Sequence, residues 1–119
     1  MLFQPAPVIA REATHLICVL IFNSDYNELR QDKNFRDFHD IPEVTCDIQT
    51  VLWGLQNLTI FDQKRVFQLE NKSTKEINDT LRKTVPGMIK AINKEAEKTG
   101  TNATIMTFVY YAGYGILDD

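Results

Sequence analysis

The sequence predicts an α/β domain: a parallel sheet with helices on both faces, in the order strand, helix, strand, helix, strand. Three observations predict it. His15 to Phe22 (HLICVLIF) is almost wholly apolar, the pattern of a strand buried on both faces of a parallel sheet. Two later segments carry apolar residues at spacings of three and four, the signature of amphipathic helices. Their alternation with short apolar runs calls for right-handed crossovers that lay the helices on the sheet faces.

Residues 1–13 read as an extended lead-in, because Pro5 and Pro7 fix φ and bias their predecessors away from helix. Residues 14–119 then form one domain. After the first strand, Asn23 to Asp40 is polar and charged and reads as a long loop. Loops of that length are more often functional than incidental. Asp40 is the expected N-cap of a helix over residues 41–59, with Pro42 in its first turn. Val44, Ile48, Val51, Leu52, Leu55 and Leu58 form its apolar stripe. Residues 65–69 make a short second strand. Ser73 and Glu76 make a capping-box pattern at the start of a second helix that runs to Lys98. Pro86-Gly87 predicts a kink or a break in it, and Gly100 a stop. Ala103 to Tyr111 is the third strand, again almost continuously apolar. Three strands leave a small sheet with exposed edges, which invite a further strand.

At 119 residues the chain supports a single core. A hydrophobic share of 44% and a charged share of 24% are those of an ordinary soluble globular domain. A net charge of −3 with mixed signs argues against a nucleic-acid groove, which needs a basic face. It also gives no attraction to an anionic membrane. The longest apolar run is too short to span a bilayer, so no membrane insertion is expected. The N-terminus lacks the basic and apolar regions of a signal peptide. An intracellular, cytoplasmic location follows, and Arg11 alone is a weak cue for a mitochondrial presequence, which leaves that location open. Asn57, Asn71, Asn78 and Asn102 each begin an Asn-x-Ser/Thr triplet, read as a product of composition in a chain without a secretory signal. Cys18 and Cys46 show no metal-ligand spacing, and both are expected to pack as small buried hydrophobes. The loop carboxylates Asp25, Asp32, Asp37 and Asp40 lack the fixed spacing of a calcium loop. No cofactor or metal is expected.

The most specific stretch is Tyr110-Tyr111-Ala112-Gly113-Tyr114-Gly115. Two glycines let the backbone turn sharply at a strand tip and present the residue between them. In open α/β sheets the strand tips are where ligands and chemistry sit. This run resembles the Tyr-Tyr-Ser/Ala-Gly-His-Gly segment of the caspase and metacaspase superfamily (peptidase C14), matching five of its six places. More loosely, Ile21 to Tyr26 resembles the polar turn after that family's first strand. Asp47 to Leu52 resembles its first helix, and Val66 to Thr74 its second strand and Thr-rich turn. The likeness spans roughly residues 14–119. It implies a three-layer caspase-like fold, of which this chain holds the N-terminal part.

The resemblance also implies where the chemistry departs. The family's histidine takes a proton from a cysteine thiol. Tyr114 stands at that histidine's place, and a phenol with a pKa near about 10 is a poor base at neutral pH. The family's cysteine follows a fourth strand, which would lie beyond Asp119. Cys18 and Cys46 fall at core positions of the first strand and helix. The catalytic site is therefore expected not to be intact: Tyr114 between Gly113 and Gly115, with Asn23, Asp25, Tyr26 and His39 as the site rim. Arg30 and Arg36 lie in the same loop, where the alignment is too loose to give either a role. His15 starts the first strand at the end opposite the site and reads as structural.

Three functional expectations follow. The first is a catalytically inactive caspase-like domain that binds a protein partner at the exposed sheet edge. The second is the N-terminal portion of a C14-type cysteine endopeptidase, whose further strands cover that edge. The third is a flavodoxin- or receiver-type module, against which stands the lack of a Gly-rich phosphate loop after the first strand.

Overall fold

The computed structural model describes residues 13–27, 29–33, 36 and 39–113. Nearly all of the lead-in assigned to residues 1–13 therefore lies outside the described residues, as do Tyr114 and Gly115. The main elements are β1 (His15–Phe22), α1 (Glu43–Gln56), β2 (Val66–Glu70), α2 (Thr74–Asp79), α3 (Val85–Thr99) and β3 (Ile105–Ala112). Strand order is β2-β1-β3, and both pairings are parallel. Cys18 stands opposite Val66, and His15 opposite Ile105.

The central place of β1 accounts for its composition. Both of its edges are paired and both of its faces are covered, so every residue from Leu16 to Phe22 is buried. Strand side chains alternate between faces, and β1 feeds two cores. Leu16, Cys18, Leu20 and Phe22 pack with Val44, Ile48, Leu52 and Leu55 of α1. Ile17, Val19 and Ile21 pack with Val85 and Ile92 of α3. The chain leaves β1 toward one side and returns across it to the other. Right-handed crossovers of opposite direction put their helices on opposite faces, and the two cores match that arrangement.

β3 is largely apolar yet is covered along its length on one face only, the other being covered at its start, where Ile105 packs against the α3 core. Met106, Phe108 and Tyr110 pack against the α1 core, while Thr107, Val109 and Tyr111 are exposed on the other face. Among the described residues, no strand pairs with its outer edge.

The helix ends correct one expectation and bear out others. Pro42, not Asp40, occupies the N-cap of α1, and no side chain caps it. Asp40 lies two residues too early and spends its carboxylate on the preceding loop. The second helix starts as expected, with Ser73 Oγ accepting from the Glu76 N–H at 3.2 Å. Its interruption is a π-helical turn over Thr80–Thr84, immediately before α3. Pro86 has no N–H to give and its ring crowds the carbonyl four residues back. The wider turn upstream absorbs that misfit. Gly100, at φ 69°, ends α3, and the Thr101 N–H reaches back to the Ala96 carbonyl at 2.9 Å.

Candidate functional site

The carboxyl ends of β1 and β3 lie side by side. Here the connectivity reverses direction, with β2 on one flank of β1 and β3 on the other. Crevices at such switch points are the usual ligand sites of open α/β sheets. The Asn23 N–H donates to the Ala112 carbonyl at 3.0 Å, carrying the pairing one residue past β1. The chain then turns at Gly113, whose φ is 151°. A Cβ there would stand 2.8 Å from Tyr26 Oη, 3.0 Å from Tyr111 Oη and 3.4 Å from Asn23 Cβ. Only a bare Cα admits two phenols this close. Tyr26 is 8% exposed, so its ring belongs to the core while its hydroxyl reaches the strand tips.

Tyr26 is held there by the two ends of the long loop. The Ile41 N–H donates to the Ser24 carbonyl at 2.8 Å. Asp40 Oδ1 accepts from the Tyr26 N–H at 2.8 Å and from an Arg30 guanidinium N–H, also at 2.8 Å. The Arg30 hydrogen bond foremost, and the Tyr26 N–H after it, hold the Asp40 carboxyl below its ordinary range; the nearby His39 adds to this.

On the β2 side, Asn71 follows the strand at φ 53°, a left-handed conformation that asparagine tolerates better than most residues. Its N–H donates to the Phe22 carbonyl at 2.9 Å. Its Oδ1 accepts from the N–H groups of Ser24 and Asp25, at 2.9 and 3.1 Å, and its Nδ2 donates to Ser24 Oγ at 3.2 Å. One side chain thus fixes the turn after β1. Between them lies an open depression of about 510 Å³, whose walls include Asn23, Asp25, Tyr26, Asn71 and Lys72.

Of the residues singled out in the sequence, Asn23, Tyr26 and Gly113 come together. Asp25 borders the neighbouring depression, with its Oδ1 taken by the Asn27 N–H at 2.9 Å. His39 is exposed beside Asp40. Tyr114 and Gly115 lie outside the described residues, so the motif's central position has no geometry here. Arg30 is the ion-pair partner of Asp40, and Arg36 is exposed. Sequence reasoning missed Tyr111, Asn71 and the true use of Asp40. An Asn just after a strand was a signal for the left-handed turn.

Cys18 is buried in β1 as expected, and burial pushes its thiol pKa up, away from nucleophile chemistry. Cys46 is not buried: it is exposed on α1. Val44 and Ile48 define the inward face, and a residue two places from each points the other way. His15 starts β1 at the opposite end of the sheet, its Nδ1 2.7 Å from Thr14 Oγ1. It borders a separate cleft of about 360 Å³ with Arg65, Met88 and Ile92. Burial, and then the Arg65 charge, lower its pKa.

Among the described residues, no group of three or more His, Cys, Asp or Glu side chains could hold a metal ion. No helix among them is long and apolar enough to cross a membrane. The groups converging at the strand tips are phenols and amides, which serve as hydrogen-bond donors and acceptors. Comparison with protein-family models, with curated proteins and with solved structures found no match to this chain.

Proposed function

We propose that this chain is a caspase-like domain without peptidase activity, which binds another polypeptide strand along the outer edge of β3. The supporting observation is that edge. β3 offers eight residues of extended backbone from Ile105 to Ala112, none charged and none proline. Val109 and Tyr111 are 51% and 49% exposed on the face beside it. An edge that meets only solvent is normally blunted with charge, proline or a bulge. The other edge has such protection: β2 is shorter, ends in Glu70 and is flanked by Lys64, Arg65 and Lys72. An incoming strand at β3 gains main-chain hydrogen bonds and a place for side chains over Val109 and Tyr111.

The missing chemistry follows the resemblance in Tyr110 to Gly115. A phenol at the family's histidine position does not activate a thiol, and the thiols of Cys18 and Cys46 belong to β1 and to the outer face of α1. A second reading draws on the same edge and on the crowding of Tyr26 and Tyr111 around Gly113. In it, a fourth strand of the same polypeptide, beyond residue 119, pairs with β3 and brings the cysteine of a C14-type endopeptidase to the strand tips.

The two readings part on one assay. Purified chain, and chain extended by its native downstream sequence if the gene encodes one, are tested for peptidase activity with and without a thiol alkylator. Activity in either, lost on alkylation, overturns the inactive-domain reading. Inactive protein whose Thr107 and Val109 amides gain hydrogen-exchange protection with a bound partner supports it.

A further inference from the structure

The cleft beside His15 lies at the end of the sheet opposite the strand tips, where α3 ends and β1 and β2 begin. Its volume of about 360 Å³ is that of a small-molecule site. The cause lies in α3. The inward stripe of that helix runs Val85, Met88, Ile92 and Ala96, at spacings of three, four and four. Val85 and Ile92 are buried in the core beneath β1. The last member of the stripe, Ala96, has only a methyl group to set against the start of the sheet, and the neighbouring Ala91 is equally small. Met88, Ala91, Ile92 and Ala96 therefore form an apolar floor that the described side chains leave open.

Two donors border this floor. Arg65, just ahead of β2, has a side chain only 26% exposed. Its ion pair with Asp62 is a contact of 3.4 Å through Nη1. Among the described residues no other acceptor holds the guanidinium, so most of its donors are left for a further group. His15 is the second. Thr14 Oγ1 lies 2.7 Å from His15 Nδ1 and 3.3 Å from the Thr104 carbonyl. The shorter contact takes the hydroxyl proton, which leaves the ring proton on Nε2. Burial and the Arg65 charge keep the ring neutral at pH 7. An N–H donor thus stands at the same cleft as a partly buried cation.

We infer that this cleft binds a small organic monocarboxylate with an apolar body. A guanidinium matches a carboxylate with two parallel N–H bonds, and a partly buried cation is less screened than one on the surface. The carboxylate sits on Arg65 with His15 as a further donor, and the apolar body covers Met88, Ile92 and Ala96. Glu95 also borders the cleft. It is exposed and makes no ion pair with Arg65, so water weakens its repulsion of a single negative charge. The carbonyl end of α3 acts in the same sense as Glu95. Together they disfavour a more highly charged ligand such as phosphate. The site is remote from β3 and from the strand tips, so it stands or falls independently of the function proposed above.

The probe is phenylpropionate, titrated into the whole chain and followed by amide and side-chain NMR. Phenylpropanol carries the same body without the charge, and phenylpropylamine carries the opposite charge. The expected result is saturable shifts at His15, Arg65, Ile92 and Ala96. Phenylpropionate should bind at least tenfold more tightly than phenylpropanol, about the factor of one charge-assisted contact. Arg65→Gln should remove that advantage. Because this variant also loses the Asp62 pair, Ala96→Leu gives an independent check. It fills the floor, keeps Arg65 and Asp62, and should weaken phenylpropionate at least tenfold without lowering the thermal melt. Absence of saturable shifts at the cleft overturns the inference. So does equal binding of acid and alcohol, which leaves an apolar cleft without a carboxylate site. Tighter binding of the amine assigns the cleft to Glu95, and tighter binding of inorganic phosphate to a more highly charged ligand; either overturns it.

Discussion

Asn71 Oδ1 accepts hydrogen bonds from two successive backbone N–H groups, Ser24 at 2.9 Å and Asp25 at 3.1 Å. A residue just past β2 thereby fixes the turn just past β1, 47 positions away in sequence. The turn delivers Tyr26 to Gly113, so the shape of the strand tips depends on a side chain from beyond β2.

Asn71→Ala removes these bonds and places a Cβ-bearing residue without them at φ 53°. The expected loss is about 1–3 kcal/mol, since each exposed hydrogen bond contributes on the order of 1 kcal/mol and the left-handed conformation adds to the cost. Urea unfolding measures it. Hydrogen exchange at the Ser24 and Asp25 amides should accelerate before the rest of β1 opens.

Gly113→Ala is expected to cost about 1–3 kcal/mol, from a strained φ of 151° together with contacts of 2.8 and 3.0 Å to the two phenol oxygens. Tyr26→Phe in the same chain removes the nearer oxygen and should restore part of the loss. A double-mutant cycle on unfolding free energies checks this. Strict additivity would mean that Tyr26 and Gly113 do not act on each other.

Lowering the pH should release the loop from the strand tips. The Asp40 carboxyl is held below its ordinary 3.8 by Arg30 and by the Tyr26 N–H. A depressed carboxylate pKa stabilises the fold fully above the unfolded value, and the contribution fades as pH falls through the folded one. Loosening is therefore confined to pH below about 4. Tyr26 and Arg30 amide shifts followed by NMR should show it, and Asp40→Asn should abolish the transition while leaving the loop loosened at neutral pH.

His15 gives a separate pH dependence of the opposite chemical origin. Burial and Arg65 hold its pKa below 6.5, so the unfolded chain takes up this proton first. Stability should then decline as pH drops below 6.5 and level off once the folded state is protonated too. Thermal melts between pH 7.5 and about 5 measure the slope, which His15→Gln should remove.

The fold was legible because its signals are local and periodic. β1 spans His15–Phe22 as its composition predicts, and β2 and β3 lie within one or two residues of their expected bounds. The helical stripe named Val44, Ile48, Leu52 and Leu55 correctly as core. Cys46 could have been placed by the same spacing, since it falls on the far side of that stripe. Asp40 misled because an acid before a proline and an apolar run has the look of a cap in one dimension. Its partners, Tyr26 and Arg30, are set by how the loop folds back.

What the sequence determined by itself was the layered α/β architecture and its two cores, because apolar periodicity is written residue by residue. The tertiary structure alone decided the strand order β2-β1-β3, the exposed face of β3 and the crowding of Tyr26 and Tyr111 around Gly113. Those depend on which segments meet across gaps of dozens of residues. Hydrogen bonds such as Asn71 to Ser24 leave no spacing in the chain from which they could be read.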